Sequence, residues 1–276
     1  MWVLYETYHD VTYFTPESRA ATDALGCKGG WMGYFGMRAA PLGAATAGGV
    51  ASAFYSFHPA LVGRALPDAW TVALPQRYLD VRLAGADACL RRMLGDDLPR
   101  GQVVELTVEA ARQAPVAGRP MAAANAALDL PEQPHLALWQ ACTTLRESRG
   151  DGHVAALVAA DLDPGETLVL FEAATGLGDA YLRGARGWPE DEWARAADRL
   201  TERGLLADGA LTGDGAELHR WVEKRTDAVA EAPWRALGTS ATERLAAELT
   251  PLVKVIAEAN EVMRVNPMAL DARSAL

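Results

Sequence analysis

The residues able to do chemistry in this chain are few and scattered. His9, His58, His135, His153 and His219 show no HxxxH or HExxH spacing, so no sequence-local pair is set to hold zinc. Cys27, Cys89 and Cys142 are odd in number, far apart and without an adjacent histidine. They suggest neither a disulfide framework nor a zinc knuckle nor an activated thiol. A GxSxG elbow and a GxxxxGK[ST] phosphate loop are absent, and Gly176-Leu177-Gly178 lies between helical segments instead of after a strand. What remains is histidine acid–base chemistry, with Arg38 or Arg146 polarising a carbonyl or holding a carboxylate. These patterns assign no catalytic residue, no metal ligand and no cofactor.

Two segments gather the candidates. The stretch from Trp31 to Trp70 is dense in aromatics and small residues, and Arg38 is its only charge until Arg64. A lone arginine there is costly to bury unless it meets an acidic partner or a ligand. Trp31, Tyr34, Arg38, Tyr55 and His58 are therefore candidate ligand-binding residues. The second segment, a helix over 135–149, presents Trp139 and Arg146. Arg149-Gly150-Asp151-Gly152-His153 then reads as a sharp break, with Asp151 or Gly152 capping a new helix over 153–160. His153 in its first turn would be held neutral by the helix dipole and could face a ligand. Each candidate has a plainer reading. Arg38 could pair with a distant carboxylate, His58 before Pro59 could be a cap, and His153 could bond a backbone group.

Positioning these residues falls to helices. Ala, Leu, Arg and Glu recur at helical spacing and alternating β-branched runs are scarce, so the chain reads as mostly α. A first helix is expected from Thr15-Pro16-Glu17, followed by helices near 76–94 and 102–114. Prolines cluster between Pro115 and Pro134, which marks a boundary. The expected organisation is a helical, aromatic-rich domain over 1–130, a winged-helix domain over 135–235, and a C-terminal helix over 240–262 available for a dimer seam. The winged helix is read from residues 187–217: a helix carrying Trp193, Ala196, Ala197 and Leu200 on one face, then a hairpin turning at Asp208-Gly209, then another helix.

Charge sets limits on partners. The formal net charge is −10 and the pI is near 5.0, which gives no global attraction for nucleic acid or anionic lipid. Within 187–217, eight acidic residues (190, 191, 192, 198, 202, 208, 214 and 217) face three arginines, Arg195, Arg199 and Arg203. A helix that docks on phosphates needs the opposite sign. No apolar run reaches the ~18–20 residues of a membrane span. The N-terminus has no signal-peptide pattern, and the cysteine usage fits a reducing cytoplasm.

The segments HLALWQACTTLRESRGDGHVAALVAA, GWPEDEWARAADRLTERGLL, ALTGDG and RTDAVAEAPW, with WMGYFGMRAAPLG and AFYSFHPALVGRALPDAW upstream, resemble an actinobacterial family of helix-turn-helix proteins of unknown function. The C-terminal half is also similar to regulators of the MarR type. That resemblance implies a motif of 166–174 and 179–185, a recognition helix over 189–203 and a wing over 205–212. Three functions are then open. A winged-helix protein could bind a small molecule in a pocket formed by the aromatic region and the His135–His153 segment. The same pocket could serve a ligand-responsive transcription regulator, with DNA contact disfavoured by charge. An enzyme on this scaffold could act on a small metabolite by histidine acid–base chemistry.

Overall fold

Proline at the first helical position, where no N–H partner is needed, starts many helices of this chain. The computed structural model describes residues 1–13, 15–260 and 264–275. Its helices are α1 (Trp2–His9), α2 (Pro16–Leu25), α3 (Gly30–Ala39), α4 (Ala47–Phe54), α5 (Pro59–Ala65), α6 (Asp68–Val72), α7 (Pro75–Leu94), α8 (Gln102–Arg112) and α9 (Pro120–Ala126). Then come α10 (Pro134–Ala159), α11 (Pro164–Thr175), α12 (Asp179–Arg186) and α13 (Glu190–Glu202). Strands β1 (Leu206–Ala207) and β2 (Ala210–Leu211) precede α14 (Gly213–Val229), α15 (Ala232–Leu237) and α16 (Thr239–Ala259). The fold is mostly α, with one antiparallel hairpin among the described residues.

The helix–helix–helix–hairpin–helix order over 164–229 is the winged-helix arrangement. Asp163 caps α11 in a full capping box with Glu166. The hairpin pairs Leu206 with Leu211 and Ala207 with Ala210. Its two turn residues, Asp208 and Gly209, have φ of 51° and 78°, the two positive values that a type I′ turn requires. Leu200, Leu182 and Ala196 are fully buried beneath, with Trp193 and Val222 beside them.

The helix α10 runs through the centre. At 26 residues it spans about 39 Å and packs against α1, α7, α8, α9 and α14. Its first half supplies Leu136, Leu138, Trp139, Cys142 and Leu145 to a core shared with α1, α7, α8 and α16. Its end supplies Ala156 and Leu157 to the winged-helix core. A third cluster holds the aromatic layer: Phe35, Phe54, Phe57, Tyr34 and Tyr78. The apolar stripe of α16, Leu245, Leu249, Val253 and Ile256, is fully buried inside the chain, against α1, α7 and α8. Residues 261 and 262 of the expected 240–262 helix lie outside the described residues.

Three expectations are corrected. The chain starts with α1, ahead of the helix at Pro16; WVLYETYH carries no side-chain cap and is buried on most sides, so it has no amphipathic stripe. No break occurs at 149–153, because α10 is continuous there. Gly152 serves close packing instead of a turn: a Cβ at that position would sit 2.7 Å from Val229 Cγ2 on α14. Asp151 caps a different helix, accepting the Ala122 N–H of α9 at 2.9 Å. His153 consequently lies within α10, several turns from its N-terminus. Among the described residues no helix is long and apolar enough to cross a membrane.

Candidate functional site

A cavity of about 370 Å3 lies where the aromatic layer, α1, α10 and the winged helix meet. Tyr34 and Arg38 reach it from α3, Phe54 from the end of α4, and Tyr55 and Phe57 from the loop before α5. Arg146, Glu147, Asp151, His153 and Val154 come from α10. The far wall is Thr167, Leu168 and Phe171 of α11, Arg186 of α12, and His219 and Val222 of α14. Tyr55 takes a positive φ of 50°, a conformation uncommon for bulky residues. Its hydroxyl donates to the Leu162 carbonyl, which ties the loop to the turn before α11.

Buried charge dominates one side. Arg38 forms a two-pronged pair with Glu147, Nε to Oε1 and Nη2 to Oε2, both 3.1 Å. Its Nη1 donates to Tyr34 Oη at 3.1 Å, and its Cζ lies 4.0 Å from the Phe54 ring centroid. Arg146 lies 3.0 Å from the same Glu147 Oε1 and donates Nε to Glu6 at 3.2 Å. Glu147 is 1 % exposed. Burial alone would raise its pKa, but Arg146 and Arg38 overcome that and hold the carboxyl well below the usual carboxylate range. Arg149 reaches Asp227 and Glu223 and covers the Trp2 ring.

Arg186, the last residue of α12, differs from these. No carboxylate pairs with it among the described residues, its buried Nε has no hydrogen-bond partner, and its Cζ sits 4.5 Å from the Phe57 centroid. Burial lowers its pKa to about 10, and Arg38 and Arg146 add to the effect against the pull of Tyr34. Two further buried polar atoms of the cavity wall, Thr167 Oγ1 and His219 Nε2, also lack partners. Buried polar atoms without partners cost free energy, and the three residues that carry these, Arg186, Thr167 and His219, all line the one cavity.

The tautomer of His153 follows from its neighbours. Thr226 Oγ1 donates to the Val222 carbonyl at 2.8 Å, so its contact of 2.8 Å with His153 Nδ1 must have the ring nitrogen as donor. Nε2 is left as an acceptor. Burial lowers the His153 pKa to about 4, with Arg149 and His219 contributing. Burial, and not a helix dipole, is thus what favours the neutral ring. Asp151 moves the other way, pushed up to about 6 by burial and by repulsion from Glu147, against the stabilising N–H of Ala122.

Of the residues singled out from the sequence, Tyr34, Arg38, Tyr55, Arg146 and His153 line this cavity. Trp31, His58 and Trp139 do not. Trp31 packs into the aromatic layer against Tyr34, Phe35 and Phe57. Trp139 is in the core and donates Nε1 to Thr12 Oγ1 at 2.6 Å. His58 caps α5, its Nδ1 accepting the Ala60 N–H at 3.1 Å, so Nε2 carries the proton that points to Glu192 at 3.2 Å. Glu147, Arg186 and His219 were not singled out. Glu147 was implied by the demand of Arg38 for a carboxylate; nothing local to Arg186 or His219 signals their partial burial.

The arginines of the helix in the recognition position, α13, and of its C-cap are already engaged. Arg195 pairs with Asp191 at 2.8 Å, Arg199 with Asp163 and Glu166, and Arg203 with Glu166 at 3.0 Å. Its leading edge is docked on the loop after α4: Trp188 Nε1 donates to the Ser56 carbonyl at 2.9 Å, and the His58 N–H to the Arg186 carbonyl at 2.9 Å. Glu190 and Asp191 stay exposed.

A family model described as a helix-turn-helix family matches residues 1–263. No curated protein and no solved structure matches the chain.

Proposed function

The chain belongs to the helix-turn-helix family, and from that premise we propose that it binds a small organic molecule between its aromatic layer and its winged helix. The observation that carries the proposal is the cavity of about 370 Å3, whose wall joins aromatic rings to the polar residues Thr167, Arg186 and His219. That volume lies at the small end of the ~300–1,000 Å3 typical of ligand pockets, and the apolar wall with a few placed polar groups is their usual composition.

The test is to fill the space. Val154 lines the cavity from α10, and Val154→Trp should occupy it. Compounds found in a thermal-shift screen of the wild type should lose their stabilising shift in this variant by at least ~10-fold in affinity, about 1.4 kcal/mol. Far-UV circular dichroism should be unchanged. The proposal fails if no compound of a broad organic panel binds the wild type, or if binding survives in Val154→Trp.

A ligand-responsive regulator is the second reading, favoured by the family and by one geometric link. Ser56 and Arg186 line the cavity and also hold the start of α13 through Trp188 and His58. Occupancy could thus be felt at the recognition position. Against operator binding stand the exposed Glu190 and Asp191 and the paired arginines of α13. Salt-steep retention on heparin or a shift of DNA would favour this reading over a binding protein without DNA contact. An enzyme has less support: of the two cavity histidines, His153 has its pKa lowered by burial to about 4, far from the ~7 that suits acid–base work at neutral pH, and His219 Nε2 has no hydrogen-bond partner to exchange a proton with.

A further inference from the structure

Four arginines line the cavity: Arg38, Arg146, Arg149 and Arg186. Glu147 and Glu6 neutralise the first two. The other carboxylates of the wall are otherwise engaged: Glu223 lies by Arg149, and Asp151 accepts the Ala122 N–H. Arg186 has the ring of Phe57 and the carbonyl end of its own helix, and no carboxylate pairs with it among the described residues; its buried Nε has no hydrogen-bond partner. Arg82 offers a contrast elsewhere in the molecule. It is buried without a carboxylate and its Nε also lacks a partner, but Asn125 and Gln140 take its terminal nitrogens and it does not line the cavity described above.

We infer that the ligand of this cavity is an organic monoanion, a carboxylate on an apolar body of one or two rings, with its charge on Arg186. The inference rests on the ligand-binding reading above and adds the chemistry of the occupant. One uncompensated guanidinium calls for one negative charge; a phosphate dianion would leave an excess charge buried, which is costly. The planar fork of arginine matches a carboxylate with two parallel hydrogen bonds. The body of the ligand would lie on Phe54, Phe57, Leu168 and Phe171, which have no charge to offer. The surroundings favour such a contact, since a cation in a partly dry wall interacts more strongly than one in water.

Paired probes of one shape and different charge test this. Biphenyl-4-carboxylate and biphenyl-4-carboxamide, titrated calorimetrically into the full-length protein at pH 7.5, should differ by ~10- to 100-fold in affinity in favour of the acid, the range of a charge-assisted hydrogen bond. Dodecanoate and dodecanamide, run alongside, report whether the body must be aromatic. Arg186→Gln should abolish the preference, so that acid and amide bind alike, and Arg186→Lys should restore part of it. With no ligand present, Arg186→Gln should melt no lower than the wild type, because it removes a cation without a partner. A purely structural arginine would instead lower the melting temperature. Equal binding of acid and amide by the wild type, or a preference that survives Arg186→Gln, overturns the anion inference and leaves the pocket standing. If none of the four probes binds at millimolar concentration while other compounds do, the anion inference again falls alone. If nothing binds, the ligand-binding reading falls with it.

Discussion

Glu147→Gln should destabilise the protein by about 3–5 kcal/mol, the cost of leaving buried charges without their partner. The carboxylate serves two guanidiniums at once, Arg38 in a two-pronged pair and Arg146 at 3.0 Å, and is itself 1 % exposed. Chemical denaturation should show a shifted midpoint with little change in slope. A second variant separates the pair from general disruption. If Arg38→Met is combined with Glu147→Gln, the loss should be smaller than the sum of the single losses, because each single change leaves a charge behind that the double change removes. A loss under about 1 kcal/mol in Glu147→Gln would mean that the pair is solvated and its partners free to move. The acid limb carries the same information. An unfolded glutamate titrates near ~4.3, and the folded Glu147 is held well below the ordinary range by its arginines. Its stabilisation is complete above the unfolded value and is lost as pH falls toward the folded one. The stability of the wild type should therefore drop below about pH 4 with a slope that Glu147→Gln lacks.

Asp151 and His153 should pull stability in opposite directions over nearly the same pH range. The His153 pKa falls to about 4 in the fold. Between that value and the unfolded ~6.5 the unfolded chain binds the extra proton, so this residue makes stability rise with pH. The Asp151 pKa rises to about 6. Between the unfolded ~3.9 and that value the folded chain holds the extra proton, so this residue makes stability fall with pH. In the wild type the two slopes oppose each other. Asp151→Asn should steepen the rise between about pH 4 and 6, and His153→Gln should flatten or reverse it, each by on the order of 2 kcal/mol across the window. Denaturation midpoints measured at half-unit intervals would show it as difference curves of opposite sign. Parallel curves for the variants and the wild type would show that both groups titrate as in water.

The winged helix was legible because its signals are local. The Asp-Gly turn, the proline and capping aspartate ahead of α11, and the helical spacing of Trp193, Ala196 and Leu200 all act within a few residues of one another. The cavity was legible in part. Arg38 stands out because an isolated charge among aromatics demands an explanation, and Tyr34 and Tyr55 come with it. Trp31 and Trp139 carry the same signal of large aromatic area but use it in packing, a distinction made only by the tertiary arrangement. Arg186 lies in the polar run DAYLRGARG beside Arg183, and its partial burial is produced by a loop about 130 residues upstream. The apparent break at Gly150-Asp151-Gly152 misled for a related reason. A glycine needed for close approach of two helices looks, in one dimension, like a glycine needed for a turn.

The continuity of α10 bears on how this protein can be divided. A cut at the proline-rich connector would give residues 135–235 a helix whose opening turns were shaped for another neighbour. Leu136, Leu138, Trp139, Cys142 and Leu145, all 4 % exposed or less in the whole chain, would then form an oily strip on the surface of the fragment. Contiguous apolar patches of that kind bring molecules together without specificity. The winged helix of this protein is consequently no portable cassette. Chimeras and truncations that treat it as one would inherit a sticky flank, and would lose the loop over 55–58 that closes the cavity and steadies the leading edge of α13.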